Sequence, residues 1–430
     1  MKIVVLGLWH LGCVTAACLA EAGHDIIGLD FDRPKVSRLQ QGYAPLFEPG
    51  LEELIQRGMG KGNLTFATDP AVVAGADLLW VAYDTPVDDD DKADADWVHK
   101  QVRGCFEHLS DGAVVVISSQ LPVGSVAALE RDFAARGSGR TVHFACWPEN
   151  LRLGQAIKAF TKADRIVLGV RSARAETLLQ PLAGQFGGEA IVLSVESAEM
   201  SKHALNAFLA LCIAFTNEVA GLCEQTGADA VEVERALRSD PRAGRHAYLK
   251  AGGPFAGGTL ARDVSFLCDL GDRLGLSAEL LRAIGPSNKN HSLWVRRRLM
   301  SHFGGNLKGR IVVLLGLTYK PGTSTIRRSM AIETARWLTE QEAEVRAFDP
   351  KVRQLPSDLG VSIHLASSIE EAIAGAEALV MATPWPEFRD LDGETLKRLS
   401  PGVAVLDQER FLERSLGEPS KFTYITVGKI

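Results

Sequence analysis

Two sets of residues have the types and spacing to do chemistry. The first follows the apolar run at 2–6, where the chain reads Gly7-Leu8-Trp9-His10-Leu11-Gly12. This is the place of a Gly-x-Gly-x-x-Gly dinucleotide loop. The first glycine allows the tight turn, and the last lets a helix pack close on the strand. Backbone N–H groups at the helix start, Leu11 among them, face a pyrophosphate. Asp30 ends the next strand-like run, about 20 residues on, where an acid holds a ribose 2′-hydroxyl and favours NAD over NADP. Trp9 stands where the middle glycine would admit the pyrophosphate. Its Cβ and indole could displace the dinucleotide, so an NAD site and a Rossmann-like loop that has lost its cofactor both stay open. The second set is Lys202 and Asn206, one turn apart on a predicted helix and so on one face. Side by side, an ammonium and an amide can donate hydrogen bonds to a developing alkoxide.

The elements that must position these groups alternate. Strands are predicted over 2–6, 26–30, 77–82, 113–118, 142–146 and 165–169, with a helix over 11–22 ended by Gly23. Such alternation implies a mostly parallel, doubly wound sheet. From 197 to about 237 the pattern is helical and rich in Ala and Leu, which suits a self-complementary interface between two copies. A second α/β region starts at Lys308, with strands over 309–315, 345–349 and 378–382. It echoes the first: Ile3-Val4-Val5-Leu6-Gly7 with Val312-Val313-Leu314-Leu315-Gly316, Asp30 with Asp349, and Thr85-Pro86 with Thr383-Pro384. The fold class expected is α/β, with two Rossmann-like doubly wound parallel-sheet domains joined by a central helical domain. The boundaries are 1–195, 196–300 and 301–430.

Composition narrows the partners. With 430 residues the chain is too long for one ordinary domain. A net charge of −6 gives no support to a nucleic-acid partner, while a local basic pocket for a phosphate-bearing ligand stays compatible. No apolar run reads as long enough to span a membrane. The seven cysteines are scattered without a CxxC pair, which points away from zinc and disulfides and toward a reduced, cytoplasmic compartment. The acidic tract 88–91 reads as a solvated loop rather than a metal site.

Longer motifs carry a resemblance. Pro45-Leu46-Phe47-Glu48-Pro49-Gly50-Leu51, Pro122-Val123-Gly124, Trp147-Pro148-Glu149-Asn150-Leu151-Arg152, Asp164-Arg165-Ile166-Val167-Leu168-Gly169 and Ala198-Glu199-Met200-Ser201-Lys202 occur in order. They are followed by the stretches 255–263 and 316–329 and by Trp385-Pro386-Glu387-Phe388. In these the chain resembles the UDP-glucose/GDP-mannose dehydrogenase family over nearly its whole length. The resemblance implies an NAD domain, a helical dimerisation centre and a nucleotide-sugar domain. It implies oxidation of C6 of a sugar nucleotide by two hydride transfers, with a cysteine holding the intermediate as a thioester. It places Lys202 and Asn206 at the alkoxide, Asp263 in proton handling or water activation, and Glu149 beside the sugar. Cofactor contacts fall to Gly7, Trp9, Leu11, Gly12, Asp30, Thr85, Pro86, Gln120 and Arg327. Substrate contacts fall to Leu151, Phe255, Gly257, Lys320 and Arg242, the last lent across a homodimer interface.

The chain departs from that pattern at one step of the reaction. The family's cysteine position, in Phe255-Ala256-Gly257-Gly258-Thr259-Leu260-Ala261-Arg262-Asp263, is Thr259. A threonine hydroxyl needs strong activation and cannot form a thioester. Gln120 replaces a threonine that helps hold water, and Leu153 replaces a second Glu. Asp84 stands for the glycine of a Gly-Thr-Pro turn, and Glu409 for an arginine that contacts substrate phosphate. Cys146 could be a relocated thiol. The expected function is therefore an NAD-dependent dehydrogenase of a UDP-sugar hydroxyl, with the thioester step altered or absent. The alternative is a non-oxidising relative that binds a nucleotide sugar with lost or weakened cofactor binding.

Overall fold

In the computed structural model, which describes residues 1–86, 93–256, 258–360, 362–416 and 423–429, the chain divides into two units, Met1–Leu205 and Asn206–Ile430. The acidic tract 88–91 lies outside the described residues. The first unit is built on eight strands: β1 (Lys2–Leu6), β2 (Asp25–Leu29), β3 (Leu64–Ala67), β4 (Leu78–Val81), β5 (Val114–Ile117), β6 (His143–Cys146), β7 (Arg165–Gly169) and β8 (Glu189–Leu193). Their order is β3-β2-β1-β4-β5-β6-β7-β8, parallel throughout except for one antiparallel pairing of Cys146 with Gly169. Apolar runs form these strands because both faces are covered. Side chains alternate across β1: Ile3 and Val5 join one core with Leu78 and Trp80, while Val4 and Leu6 join the other with Leu79 and Val81. Strand order reverses between β1 and β4, which opens a crevice at the ends of the strands. The helix after β1, α1, spans His10–Glu21.

The second unit repeats the plan with six parallel strands: β9 (Ile311–Leu315), β10 (Glu344–Phe348), β11 (Ile363–Leu365), β12 (Ala378–Met381), β13 (Ala404–Asp407) and β14 (Thr423–Ile425). Their order is β11-β10-β9-β12-β13-β14. The echo seen in sequence extends to hydrogen bonds. Leu8 N–H donates to Asp30 Oδ2, and Leu317 N–H donates to Asp349 Oδ2, both at 2.7 Å. Asp349 differs from Asp30 in being used up by its own unit. It also accepts from the N–H groups of Thr318, Lys351 and Val352 and from Trp385 Nε1. No helix follows β9 directly, so this second crevice lacks the helix start that faces a pyrophosphate in the first.

The segment expected to be helical forms a 32-residue helix, Val195–Thr226, and a second one, Ala230–Ser239. The break falls at Gly227, whose φ is +78°. Here the sequence reading needs correction. Among the described residues this one helix is long and apolar enough to cross a membrane by length and composition. The stretch 203–217 carries no Asp, Glu, Lys or Arg. Its packing is that of a core helix. Ala207, Ala210 and Ala214 pack against Val264 and Ile284, and the buried amides of Asn206 and Asn217 are hydrogen-bonded to protein. All seven cysteines are free.

Within the second unit, Asp229 caps the Ala230–Ser239 helix and receives Arg410 at 2.7 Å and Lys429 at 3.2 Å. Desolvation raises its pKa. The Arg410 guanidinium, the Val231 N–H and Lys429 outweigh that and hold it down at about 2, against an ordinary value of 3.8. The group therefore adds stability above its ordinary value and loses it as pH falls through about 2. Asp229→Asn keeps a capping side chain but loses the charge that Arg410 and Lys429 meet, and should lower stability at neutral pH by about 1–2 kcal/mol. The difference from wild type, followed by denaturant unfolding, should shrink as the pH is taken down from 4 toward 2.

Candidate active site

The phosphate loop is built by steric necessity. Gly7 has φ of +97°, and a Cβ there would lie 2.7 Å from the Tyr83 ring. A Cβ on Gly12 would lie 1.6 Å from the Gly7 carbonyl oxygen, so α1 approaches β1 only without one. Trp9 is the residue before α1. Its side chain is 43% exposed and makes no capping hydrogen bond. Asp30 is buried and accepts from Leu8 N–H at 2.7 Å, Asp32 N–H at 3.0 Å and Lys35 Nζ at 2.9 Å. A carboxylate has about four acceptor sites, so one remains for a ribose hydroxyl. Thr85 donates its hydroxyl to the Gln120 carbonyl at 2.7 Å, tying the loop after β4 to the loop after β5, and Pro86 follows at the surface. These residues fit the adenosine half of NAD. One contact opposes the diphosphate: Asp84 Oδ2 accepts from Leu11 N–H at 3.3 Å, at the start of α1.

Lys202, Glu149 and Leu151 are brought together in the first unit. Lys202 Nζ donates to the Glu149 carbonyl and to Asn150 Oδ1 at 3.4 Å, and it lies 3.5 Å from the Glu149 carboxylate. The other oxygen of that carboxylate accepts from Leu151 N–H at 2.7 Å. Cys146 is close to this group, lining a small cavity with Gln120, Glu149 and Lys202. Desolvation pushes its thiol well above the ordinary range, and the Glu199 carboxylate adds to that. Burial thus disfavours a thiolate at Cys146 and argues against a relocated nucleophile there.

In the second unit the helix Thr259–Leu274 starts at Thr259, which is exposed at its first turn. Asp263, one turn on, is fully buried and accepts from Asn206 Nδ2. Phe255 packs against the small cluster around Ala210 and Val264. Lys320 follows β9 and is half-buried, Arg327 is exposed, and Gly257 lies outside the described residues. Arg242 points to solvent, 89% exposed, with its guanidinium on Asp240. Among the described residues it meets none of the other candidates in its unit. Glu409 lies 3.4 Å from Lys250, and both line a cavity of about 760 Å³ with Arg389, Gln408, Arg410 and Arg414.

Several positioning residues escape a sequence reading. Asn288 holds the Phe255 backbone at both ends, accepting from its N–H at 3.0 Å and donating to its carbonyl at 2.7 Å. Asn217 and His291 bind Gly252 in the same loop. Glu48 receives His10 at 2.9 Å and the N–H groups of Gly154 and Ala156, both at 2.7 Å. It thereby joins the phosphate loop to the segment that follows Leu151. A lone acid within the Pro45–Leu51 motif is the available signal for Glu48, and Asn217-Glu218 is one of the segments that carry the family resemblance; nothing local marks Asn288.

Comparison with known proteins decides the family. Residues 1–186 match the NAD binding domain of the UDP-glucose/GDP-mannose dehydrogenase family, 196–290 its central domain and 313–414 its UDP binding domain. The chain belongs to the UDP-glucose/GDP-mannose dehydrogenase family. UDP-glucose 6-dehydrogenase of Rhizobium meliloti is 33% identical over 438 residues, covering 100% of both chains. The corresponding protein of Pseudomonas aeruginosa is 33% identical over 92% of this chain and 90% of its own. Among solved structures, a UDP-glucose dehydrogenase from Pyrobaculum islandicum superposes with a TM-score of 0.89 at 31% identity. It covers 100% of this chain and 98% of that one. A UDP-D-ManNAc dehydrogenase from Pyrococcus horikoshii gives 0.86 at 25% identity, covering 100% and 99%. As in the family, the first unit holds the NAD-binding domain.

The geometry gives two expectations. Asn288→Ala strands the Phe255 backbone groups and should destabilise the second unit by about 1–3 kcal/mol, read by chemical denaturation. Cys146→Ala should retain whatever turnover the wild type shows, and Cys146 should resist thiol reagents in the folded protein. Loss of turnover with an unchanged unfolding midpoint would contradict the second.

Proposed function

We propose that the chain is an NAD-dependent dehydrogenase of a UDP-sugar hydroxyl, at C6 by family resemblance, that removes two electrons and stops at the carbonyl. The observation that carries this is Thr259 at the place where the family's thioester-forming cysteine is implied, with the Lys202–Glu149 and Asn206–Asp263 pairs both present. Bound NAD+ supplies the hydride acceptor. Lys202 donates to the substrate oxygen and stabilises negative charge there as the hydroxyl proton leaves to solvent. Its pairing with Glu149 fixes the ammonium. Asp263 orients the Asn206 amide, which follows Lys202 by one turn of the same helix. Hydrolysis of an acyl intermediate has no support here: Thr259 cannot form a thioester, burial disfavours a thiolate at Cys146, and Leu153 and Gln120 stand where the resemblance implies an acid and a hydroxyl.

A second reading, a non-oxidising relative that binds a nucleotide sugar, is favoured by one observation, the Asp84 carboxylate at the start of α1. The nucleotide-sugar seat in our reading lies in residues 301–430, the cofactor seat in 1–195 and the subunit interface in 196–300. The partner at that interface is a second copy of the chain. Phe208, Phe215 and Leu222 recur every second turn of the Val195–Thr226 helix and are 55%, 48% and 67% exposed. An apolar stripe of this kind can pack against its own copy about a two-fold axis.

Two experiments test the reading. The purified chain is given NAD+ and a panel of UDP-, GDP- and dTDP-sugars, and products are weighed by mass spectrometry. A carbonyl product from a UDP-sugar is expected. A carboxylate would refute the truncated reaction, and no product from any sugar would favour the second reading. Phe215→Glu should convert a dimer to a monomer by light scattering; a monomeric wild type would remove the interface.

A further inference from the structure

We propose that Asp84 is a built-in occupant of the cofactor's diphosphate seat, so that NAD enters by displacing its carboxylate from the start of α1. A helix start offers unpaired N–H groups and partial positive charge, and an anion is stabilised there. In α1 no side chain of the helix itself meets that demand: Trp9 makes no capping bond and the first turn carries no acid. Asp84 meets it from outside, accepting from Leu11 N–H at 3.3 Å. Its neighbours fix where it sits. Tyr83 packs under Gly7 and stacks edge-on against Trp97 at 5.0 Å between centroids. Thr85 is held by the Gln120 carbonyl. Asp84 itself is exposed, at the surface of the loop that follows β4.

A diphosphate bound at the same N–H groups would meet this carboxylate at close range, and like charges at that separation repel. Asp84 therefore sets the strength with which the chain holds any ligand with a diphosphate at this seat. The inference rests on the NAD-binding reading of the first unit.

Direct calorimetry on the full chain tests it, with wild type, Asp84→Asn and Asp84→Gly against NAD+, NADH, ADP-ribose and adenosine. Both variants should bind the three diphosphate ligands roughly tenfold more tightly. Adenosine, which has no phosphate, should bind all three proteins alike. Ligand-free thermal unfolding shows that the variants are folded. Equal or weaker binding of ADP-ribose by folded Asp84→Asn would overturn the proposal. So would a weakening confined to NAD+, which would assign the carboxylate to the cationic nicotinamide instead. If wild type and variants alike fail to bind NAD+ and adenosine, the cofactor reading itself falls, and this proposal with it.

Discussion

The contact between Gly12 and the Gly7 carbonyl governs the first unit. Any side chain at Gly12 would collide with that oxygen at 1.6 Å, so helix and strand meet only because both positions are glycine. The meeting directs the start of α1 into the crevice where strand order reverses. From there Leu8 reaches Asp30, His10 reaches Glu48, and Leu11 presents its N–H to whatever anion is near. The second sheet keeps the same strand-end geometry at Gly316, where a Cβ would lie 2.4 Å from Thr383. Without a following helix, that end is sealed by Asp349 and Trp385 instead. One backbone plan thus yields an anion seat in one unit and a closed corner in the other.

The chemistry retained by the chain is uneven. Groups suited to stabilising an alkoxide are present and mutually oriented: Lys202 by Glu149, and Asn206 by the fully buried Asp263. In the proposed reading Thr259 stands where the resemblance implies a thioester-forming cysteine, and the Cys146 thiol is buried, with its pKa pushed up by desolvation. The proposal of a shortened oxidation rests on that contrast between the two sets of residues.

Much of this was legible in sequence because it is local. β1, β7 and the helix after β1 follow from apolar runs and a glycine turn, and Asp30 follows from spacing. Short strands such as Leu64–Ala67 and Ile363–Leu365 carry too few residues to show a pattern; their pairing partners define them. The long helix is more apolar than its ends suggest: charged residues cluster at its two ends, and between them Asn206 and Asn217 find partners in the protein. Asn288 is illegible as a positioning residue because it acts on backbone 33 residues away, while Glu48 is marked only by its place in the Pro45–Leu51 motif and not by the backbone it holds at Ala156.

The most direct measurement counts hydrides. A limiting amount of the preferred sugar nucleotide is taken to completion with excess NAD+, and NADH formed is divided by sugar consumed. A ratio of one is expected if oxidation stops at the carbonyl for want of a thioester. A ratio of two would contradict the account and require a nucleophile other than Cys146.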